Sequence, residues 1–219
     1  MTFSDQLLEG GADIWQAQKD HPFVTELAAG TLDRDAFVHW VKQDYRYLLD
    51  YARVFAVAST KADTEADMTH LMGVAQTILE YEMDLHREFA AHYEITVQEL
   101  EGVRKAPTCV AYTNFLVRTA HEGSIAEIAA AIYPCGQGYL DIAYHMAALA
   151  EDEHQYTPFI EKYTSDTFVE AVEWMTDFVD RMGQRYPGER DAMREAFVMS
   201  ARLEHQFWEM CYTQESWPV

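Results

Sequence analysis

Three constellations in this sequence hold side chains able to do chemistry. The first centres on Cys135, within Ser124–His145, SIAEIAAAIYPCGQGYLDIAYH. A cysteine attacks as its thiolate, which nearby positive charge or backbone N–H groups stabilise. Cys135 follows Pro134, which has no N–H to donate and clashes with the preceding turn, so the pattern predicts a kink or restart with freed N–H groups beside the sulfur. Gly136 and Gly138 leave room there, and Tyr139 lies one turn on along the same face. The competing reading is a small buried hydrophobe at a kink, the usual situation of a free cysteine.

The second constellation is Asp44, Tyr47 and Tyr51, spaced i, i+3 and i+7, which makes one polar stripe on a helix. Val41, Leu48, Val54 and Phe55 around it read as core, so the stripe points inward or lies at the core edge, where the tyrosine hydroxyls can serve a buried carboxylate. An exposed aspartate beside two boundary tyrosines fits the same letters. The third is Glu204, which shares a helix face with Phe207 and Trp208. Aromatic surroundings raise a carboxyl pKa and suit an acid/base group, whereas a solvated glutamate near Arg202 is the plain alternative.

Other chemistries find less support. Di-iron helical bundles use two Glu-x-x-His motifs, and this chain offers one, Glu151-x-x-His154, inside the acidic run EDEHQ. His86 and His145 leave a less regular carboxylate/histidine site open. Gly10-Gly11 lacks the lysine of a phosphate-binding loop, and no Ser-His-Asp triad can be assigned.

The elements that must position these residues read as helices throughout, with glycines and prolines at plausible helix ends. Ser4 is expected to cap a first helix running to about Lys19, and Pro22 to start a short one ending at Ala29-Gly30. A long helix from Thr31 or Asp33 to about Thr60 carries the Asp44 stripe. The next starts at Thr64 and turns Leu71, Met72, Val74, Ile78, Met83 and Leu85 toward the core, with His86 and Phe89 near its end. Thr96 and Glu99 form a capping box, as do Ser124 and Glu127, and a helix from about Thr108 to Ala120 lies between them. After the kinked central helix come a segment from about Gln155 to Tyr163, one capped by Asp166 and running to about Tyr186, and one from about Arg190 to Tyr212. No linker or repeat divides the chain, so residues 1–219 are expected to form one all-α domain.

Composition bounds the rest. Hydrophobic residues make up 49% of the 219, enough for a substantial core. Three scattered cysteines (Cys109, Cys135, Cys211) form no disulfide framework. The N-terminus lacks the features of a signal peptide and no apolar run is long enough to span a bilayer, so a soluble cytoplasmic protein is expected. The charge is extreme: 16 Lys+Arg against 37 Asp+Glu, net −21. Such a polyanion repels nucleic acid and anionic membranes.

Taken jointly and in order, several segments resemble the TenA/THI-4 family of thiaminase II-type aminopyrimidine aminohydrolases, in its cysteine-containing branch. They are His21-Pro22-Phe23-Val24, Gln43-Asp44-x-x-Tyr47, Glu82-x-x-Leu85-His86-Arg87-Glu88-Phe89, Pro107-Thr108 with Tyr112-Thr113, Pro134-Cys135 with Tyr139, and Glu204-x-Gln206-Phe207-Trp208. The resemblance implies a haem-oxygenase-like helical bundle without haem, assembled as a homotetramer. It implies hydrolysis of 4-amino-5-aminomethyl-2-methylpyrimidine to hydroxymethylpyrimidine and ammonia in thiamin salvage, and cleavage of thiamin at the same carbon, with no metal or organic cofactor. By position, Cys135 matches the nucleophile, Glu204 the proton donor, and Asp44 the carboxylate that holds the aminopyrimidine. Tyr47 and Tyr112 match tyrosines that raise the nucleophilicity of the sulfur. Tyr139 and Tyr163 match substrate contacts, and Phe207 a ring packed on the pyrimidine.

One departure stands out. Gly136-Gln137-Gly138 occupies positions where the family often has aromatic residues, which implies a wider pocket. Two alternatives accompany the hydrolase: a di-iron oxidase on the same scaffold and a non-catalytic regulatory protein. The residues do not rank thiamin, the aminopyrimidine and its formyl derivative as substrates.

The acidic charge itself yields a test. If it is an adaptation to a salty interior, where screening suppresses self-repulsion, fold and activity fall on dialysis into dilute buffer. Circular dichroism across a salt series checks this, and an unchanged spectrum leaves an ordinary acidic protein.

Overall fold

The computed structural model describes residues 1–218, and every regular element among them is helical. In chain order the helices are α1 (Phe3–Gly10), α2 (Ala12–Lys19), α3 (Pro22–Ala28), α4 (Arg34–Lys61), α5 (Glu65–Thr77) and α6 (Met83–His92). There follow α7 (Val97–Gly102), α8 (Pro107–Glu122), α9 (Ile125–Leu149), α10 (Thr157–Tyr163), α11 (Asp166–Arg185) and α12 (Arg190–Thr213). They gather into two compact units: Met1–Asp33 with Ala126–Glu209, and Arg34–Ile125 with the segment beginning at Met210. No helix of the described residues is long and apolar enough to cross a membrane.

In the first unit, the opening helix differs from its expected form. Thr2 rather than Ser4 is the cap: its hydroxyl accepts from Asp5 N–H, and the Asp5 carboxylate accepts from Thr2 N–H. Ser4 sits buried inside the helix and gives its N–H to Asp180 Oδ1 at 2.7 Å. Gly10-Gly11 then separates α1 from α2, because residues without a Cβ lose most by joining a helix. His21 caps α3 through its ring, whose Nδ1 accepts from Phe23 N–H at 3.1 Å. Ser165, not Asp166, caps α11.

The largest difference lies in α9. Of the expected kink or restart at Pro134, the restart does not occur: helix continues through Pro134 to Leu149. What the proline removes is a donor for the carbonyl four residues back, at Ala130. The hydroxyl of buried Ser200 on α12 donates to the next carbonyl, Ala131 O, at 2.7 Å and braces the weakened turn. With Ile128 to Pro134 all buried, packing holds the helix where local propensity would let it break.

In the second unit α4 packs against α5, α6, α7 and α8. Its apolar face includes Phe37, Trp40, Val41, Leu48, Val54 and Phe55, all buried. Thr64 caps α5 and the Thr96–Glu99 capping box opens α7, both as expected. Met72 corrects the expected core: it is 56% exposed, because the inward row is Leu71, Ala75 and Ile78. Between α5 and α6 the helix widens into a π turn, Ile78–Glu82, where Met83 N–H reaches Ile78 O. The segment beginning at Met210 closes the start of α8. Glu215 Oε2 accepts from Thr108 N–H at 2.8 Å, and Trp217 Nε1 donates to Lys105 O at 2.8 Å.

Gly30 holds φ at 72°, and a Cβ there would meet the His154 ring at 2.8 Å. Gly30→Ala is therefore expected to lower stability by at least about 1–2 kcal/mol, the cost of a left-handed non-glycine residue. Gly73, inside α5 with open space around it, is the control, since Gly73→Ala should add about 0.5–1 kcal/mol. Urea midpoints of the two variants check both signs.

Candidate active site

Two hydrogen-bonding and ring contacts fix how α9 and α12 run beside each other in the first unit. Ser200 bonds Ala131. Eight residues later on both helices, Tyr139 and Trp208 pack ring to ring with centroids 5.0 Å apart. The two helices are thus parallel over about 12 Å of rise, with residue n of α9 level with residue n + 69 of α12. Midway between the two ties, Cys135 comes level with Glu204. Glu204 is 2% exposed, so the solvated alternative falls away. Cys135 is partly exposed, whereas Cys109 and Cys211 are fully buried. The helix does not restart at Cys135, because α9 is continuous.

The Gly136-Gln137-Gly138 departure does not widen a pocket on the faces those residues present. A Cβ on Gly136 would meet Met175 Sδ at 2.7 Å, so α11 already fills that space. A Cβ on Gly138 would touch Trp15 at 3.8 Å and Gln18 at 3.9 Å. Gln137 belongs to a polar chain. It donates to Asp141 Oδ1 at 2.9 Å and accepts from the Tyr133 hydroxyl at 3.2 Å, while Trp15 Nε1 donates to Asp141 Oδ2 at 2.8 Å. Small residues after the cysteine serve close packing of α11 and α2 on α9.

An aromatic wall lies one turn beyond. Tyr139 packs on Tyr163 at 4.9 Å and on Trp208 at 5.0 Å, and Tyr163 on Phe159 at 4.8 Å. Phe207 is buried. Tyr163 closes α10, brought there by the Thr157-Pro158 helix start. The expected residues Cys135, Tyr139, Tyr163, Glu204 and Phe207 thus all belong to the first unit.

Asp44, Tyr47 and Tyr112 belong to the second unit. All three are buried, at 5%, 2% and 0% exposure, so the stripe on α4 points inward and Asp44 is not a surface residue. Tyr47 packs on Tyr112 of α8 at 5.0 Å and stacks on Tyr51 at 5.4 Å. Asp44 has a partner that sequence reasoning missed. His86 Nε2 lies 2.6 Å from Asp44 Oδ2, and His86 Nδ1 lies 2.8 Å from Glu82 O. The ring is fully buried between Trp40 at 5.2 Å and Phe89 at 6.5 Å. Burial drives the proton off His86, but the hydrogen bond and charge of Asp44 outweigh it, so the histidine pKa is raised. The available signal was the Glu82-x-x-x-His86 spacing, and its meaning depends on the π turn.

The remaining chemical candidates are occupied structurally. In Glu151-x-x-His154, His154 Nδ1 accepts from Tyr156 N–H at 3.2 Å and Nε2 faces Ala28 O at 3.0 Å. Both nitrogens are engaged with backbone, so His154 has no ring nitrogen to offer a metal. No group of three His, Cys, Asp or Glu among the described residues could hold a metal ion. Burial pushes the Cys109 thiol up to about 12, which keeps it protonated at neutral pH.

The sequence profile of the TENA/THI-4/PQQC family matches residues 11–214. The chain belongs to this family. An aminopyrimidine aminohydrolase of Halalkalibacterium halodurans is 34% identical over 99% of this chain and 98% of its own length. A TenA homologue from P. horikoshii OT3 superposes with a TM-score of 0.92 at 26% identity, covering 97% of this chain and 99% of that one. A haem oxygenase-like domain from Shewanella denitrificans OS217 superposes at 0.75 with 13% identity, over 96% of this chain and 92% of its own. The fold is all-α and haem-oxygenase-like, as expected.

The Asp44–His86 pair gives stability a definite pH sense. Because the folded His86 pKa is raised, the pair's contribution is complete below the unfolded value of about 6.5 and is lost as pH rises through the folded one. In Asp44→Asn burial dominates, so the sign reverses and His86 costs stability as pH falls. Near neutrality the variant is expected to lose about 3–5 kcal/mol, the usual result of breaking a buried pair. Thermal melts of both proteins from about pH 5 to 9 test the opposite slopes.

Proposed function

We propose that this chain is a thiaminase II-type aminopyrimidine aminohydrolase serving thiamin salvage, with 4-amino-5-aminomethyl-2-methylpyrimidine as its substrate. The observation that carries the reading is the level pairing of Cys135 with Glu204 on parallel helices, bordered by the Tyr139–Trp208 wall. A nucleophile and a buried acid at one height suit attack on a flat heteroaromatic ring and departure of a group attached to it. Family membership and the activity in the relative's name support the same chemistry.

In this reading the Cys135 thiolate forms a bond to an electron-poor carbon of the pyrimidine. The ring electrons then expel the amine from the exocyclic carbon, and Glu204 supplies the proton that makes it a leaving group. Water adds its hydroxyl to the resulting exocyclic methylene, the C–S bond breaks, and aromaticity returns with the thiolate regenerated. The remaining proton of the water restores Glu204. Asp44 accepts from the amino group on the ring and so orients it. Tyr47 and Tyr112 assist the sulfur, Tyr139 and Tyr163 contact the substrate, and Phe207 packs on the pyrimidine. No metal or organic cofactor takes part. A single domain, a cytoplasmic location and a homotetramer complete the proposal. Exposed apolar side chains on α5 and the π turn after it, Met68, Met72 and Leu79, each at least 41% exposed, support the assembly.

Release of ammonia and hydroxymethylpyrimidine, measured in high salt, tests the reading. Wild type is expected to turn over, Cys135→Ala to be inactive, and Glu204→Gln to fall by about 10²–10⁴-fold. Equal turnover in wild type and Cys135→Ala would remove the sulfur from the mechanism.

A further inference from the structure

The second unit contains a buried charged pair that the proposed reaction leaves half used. Asp44 is 5% exposed, and its carboxylate takes part in one hydrogen bond, accepted at Oδ2 from His86 Nε2. No described residue donates to Oδ1. A carboxylate oxygen with no protein donor, on a residue that is 5% exposed, is open to a hydrogen-bonding ligand. The histidine behind it is held at both nitrogens. Glu82 O can only accept, so Nδ1 carries a proton, and a single proton lies between Nε2 and Oδ2. The π turn at Ile78–Glu82 makes this possible: its i+5 bond from Met83 to Ile78 shifts the register before α6 and turns His86 onto α4.

We propose that His86 is a positioning residue for Asp44: it clamps Oδ2, and thereby offers Oδ1 to the ring amino group of the aminopyrimidine. The proposal rests on the hydrolase reading for its ligand. A charge-assisted bond on one oxygen removes rotation of the carboxylate, so the free lone pairs point in one direction before substrate arrives. His86 therefore sets specificity for the amino group without touching substrate.

The test compares binding of two probes, hydroxymethylpyrimidine and its analogue lacking the 4-amino group, to the full chain by calorimetry. Wild type is expected to favour the amino compound roughly 10- to 100-fold, as for a hydrogen bond to a charged group. His86→Gln, verified as helical by circular dichroism, should lose most of that ratio while binding of the deamino probe changes little. An unchanged ratio in the variant overturns the proposal alone. Failure of wild type to bind either probe overturns the hydrolase reading and this proposal's ligand with it. If His86→Gln does not fold, proton NMR of wild type decides. A far-downfield Nε2 proton, absent from Asp44→Asn, is expected to shift on adding hydroxymethylpyrimidine, and a proton that ignores the ligand overturns the assignment.

Discussion

A proline in the middle of a buried helix leaves a carbonyl without its donor, and the first unit is arranged around that gap. Ile128 to Pro134 are all buried, so water does not reach the weakened turn freely. Ser200 on α12 bonds the neighbouring carbonyl, Ala131 O, beside that turn, and this bond ties the two helices in register. Everything downstream inherits that register: Cys135 level with Glu204, and Tyr139 against Trp208. A local defect in one helix thereby specifies the height of its neighbour. The glycines after Cys135 let α11 and α2 close in, so the helix is braced on several sides.

The second unit uses a different irregularity to a similar end. A π turn adds one residue to the α5–α6 helix and presents His86 to Asp44. Both members of the pair are buried, where unpaired charge is costly and geometry is therefore strongly enforced. The tyrosines of α4 and α8 pack beside it as Tyr51, Tyr47 and Tyr112 in succession. In each unit the departure from regular helix lies next to the residues with chemical potential.

The long periodic stretches were legible in the sequence. The Asp44 stripe, the Glu204 face, the Thr64 start and the Thr96–Glu99 box follow from spacing and capping chemistry that act within a few residues. What escaped was set by tertiary contacts. Pro134 left a restart of the helix open because local propensity carries no information about tertiary packing or about Ser200. Met72 looked like core because a methionine beside Leu71 satisfies a loose apolar pattern, although only one of them faces α4. Gly136 read as empty space because the sequence does not reveal Met175 opposite it. His86 lay in plain view, but its partner is 42 residues away.

The threading of the chain through its two units bears on how the protein is made. The first unit is discontinuous: Met1–Asp33 must wait for Ala126–Glu209 before it has its full set of helices. By contrast Arg34–Ile125 is contiguous and leaves the ribosome as one block, with α4 finding α5, α6, α7 and α8 at short sequence separation. Local contacts of this kind form fast, and distant ones slowly. The nascent N-terminal helices therefore spend most of synthesis with apolar faces such as Phe23, Val24 and Leu27 unburied. Those three short helices lack their partners until α9 and α12 are made, so the exposure falls on residues 1–33 rather than on the long apolar helix in the middle.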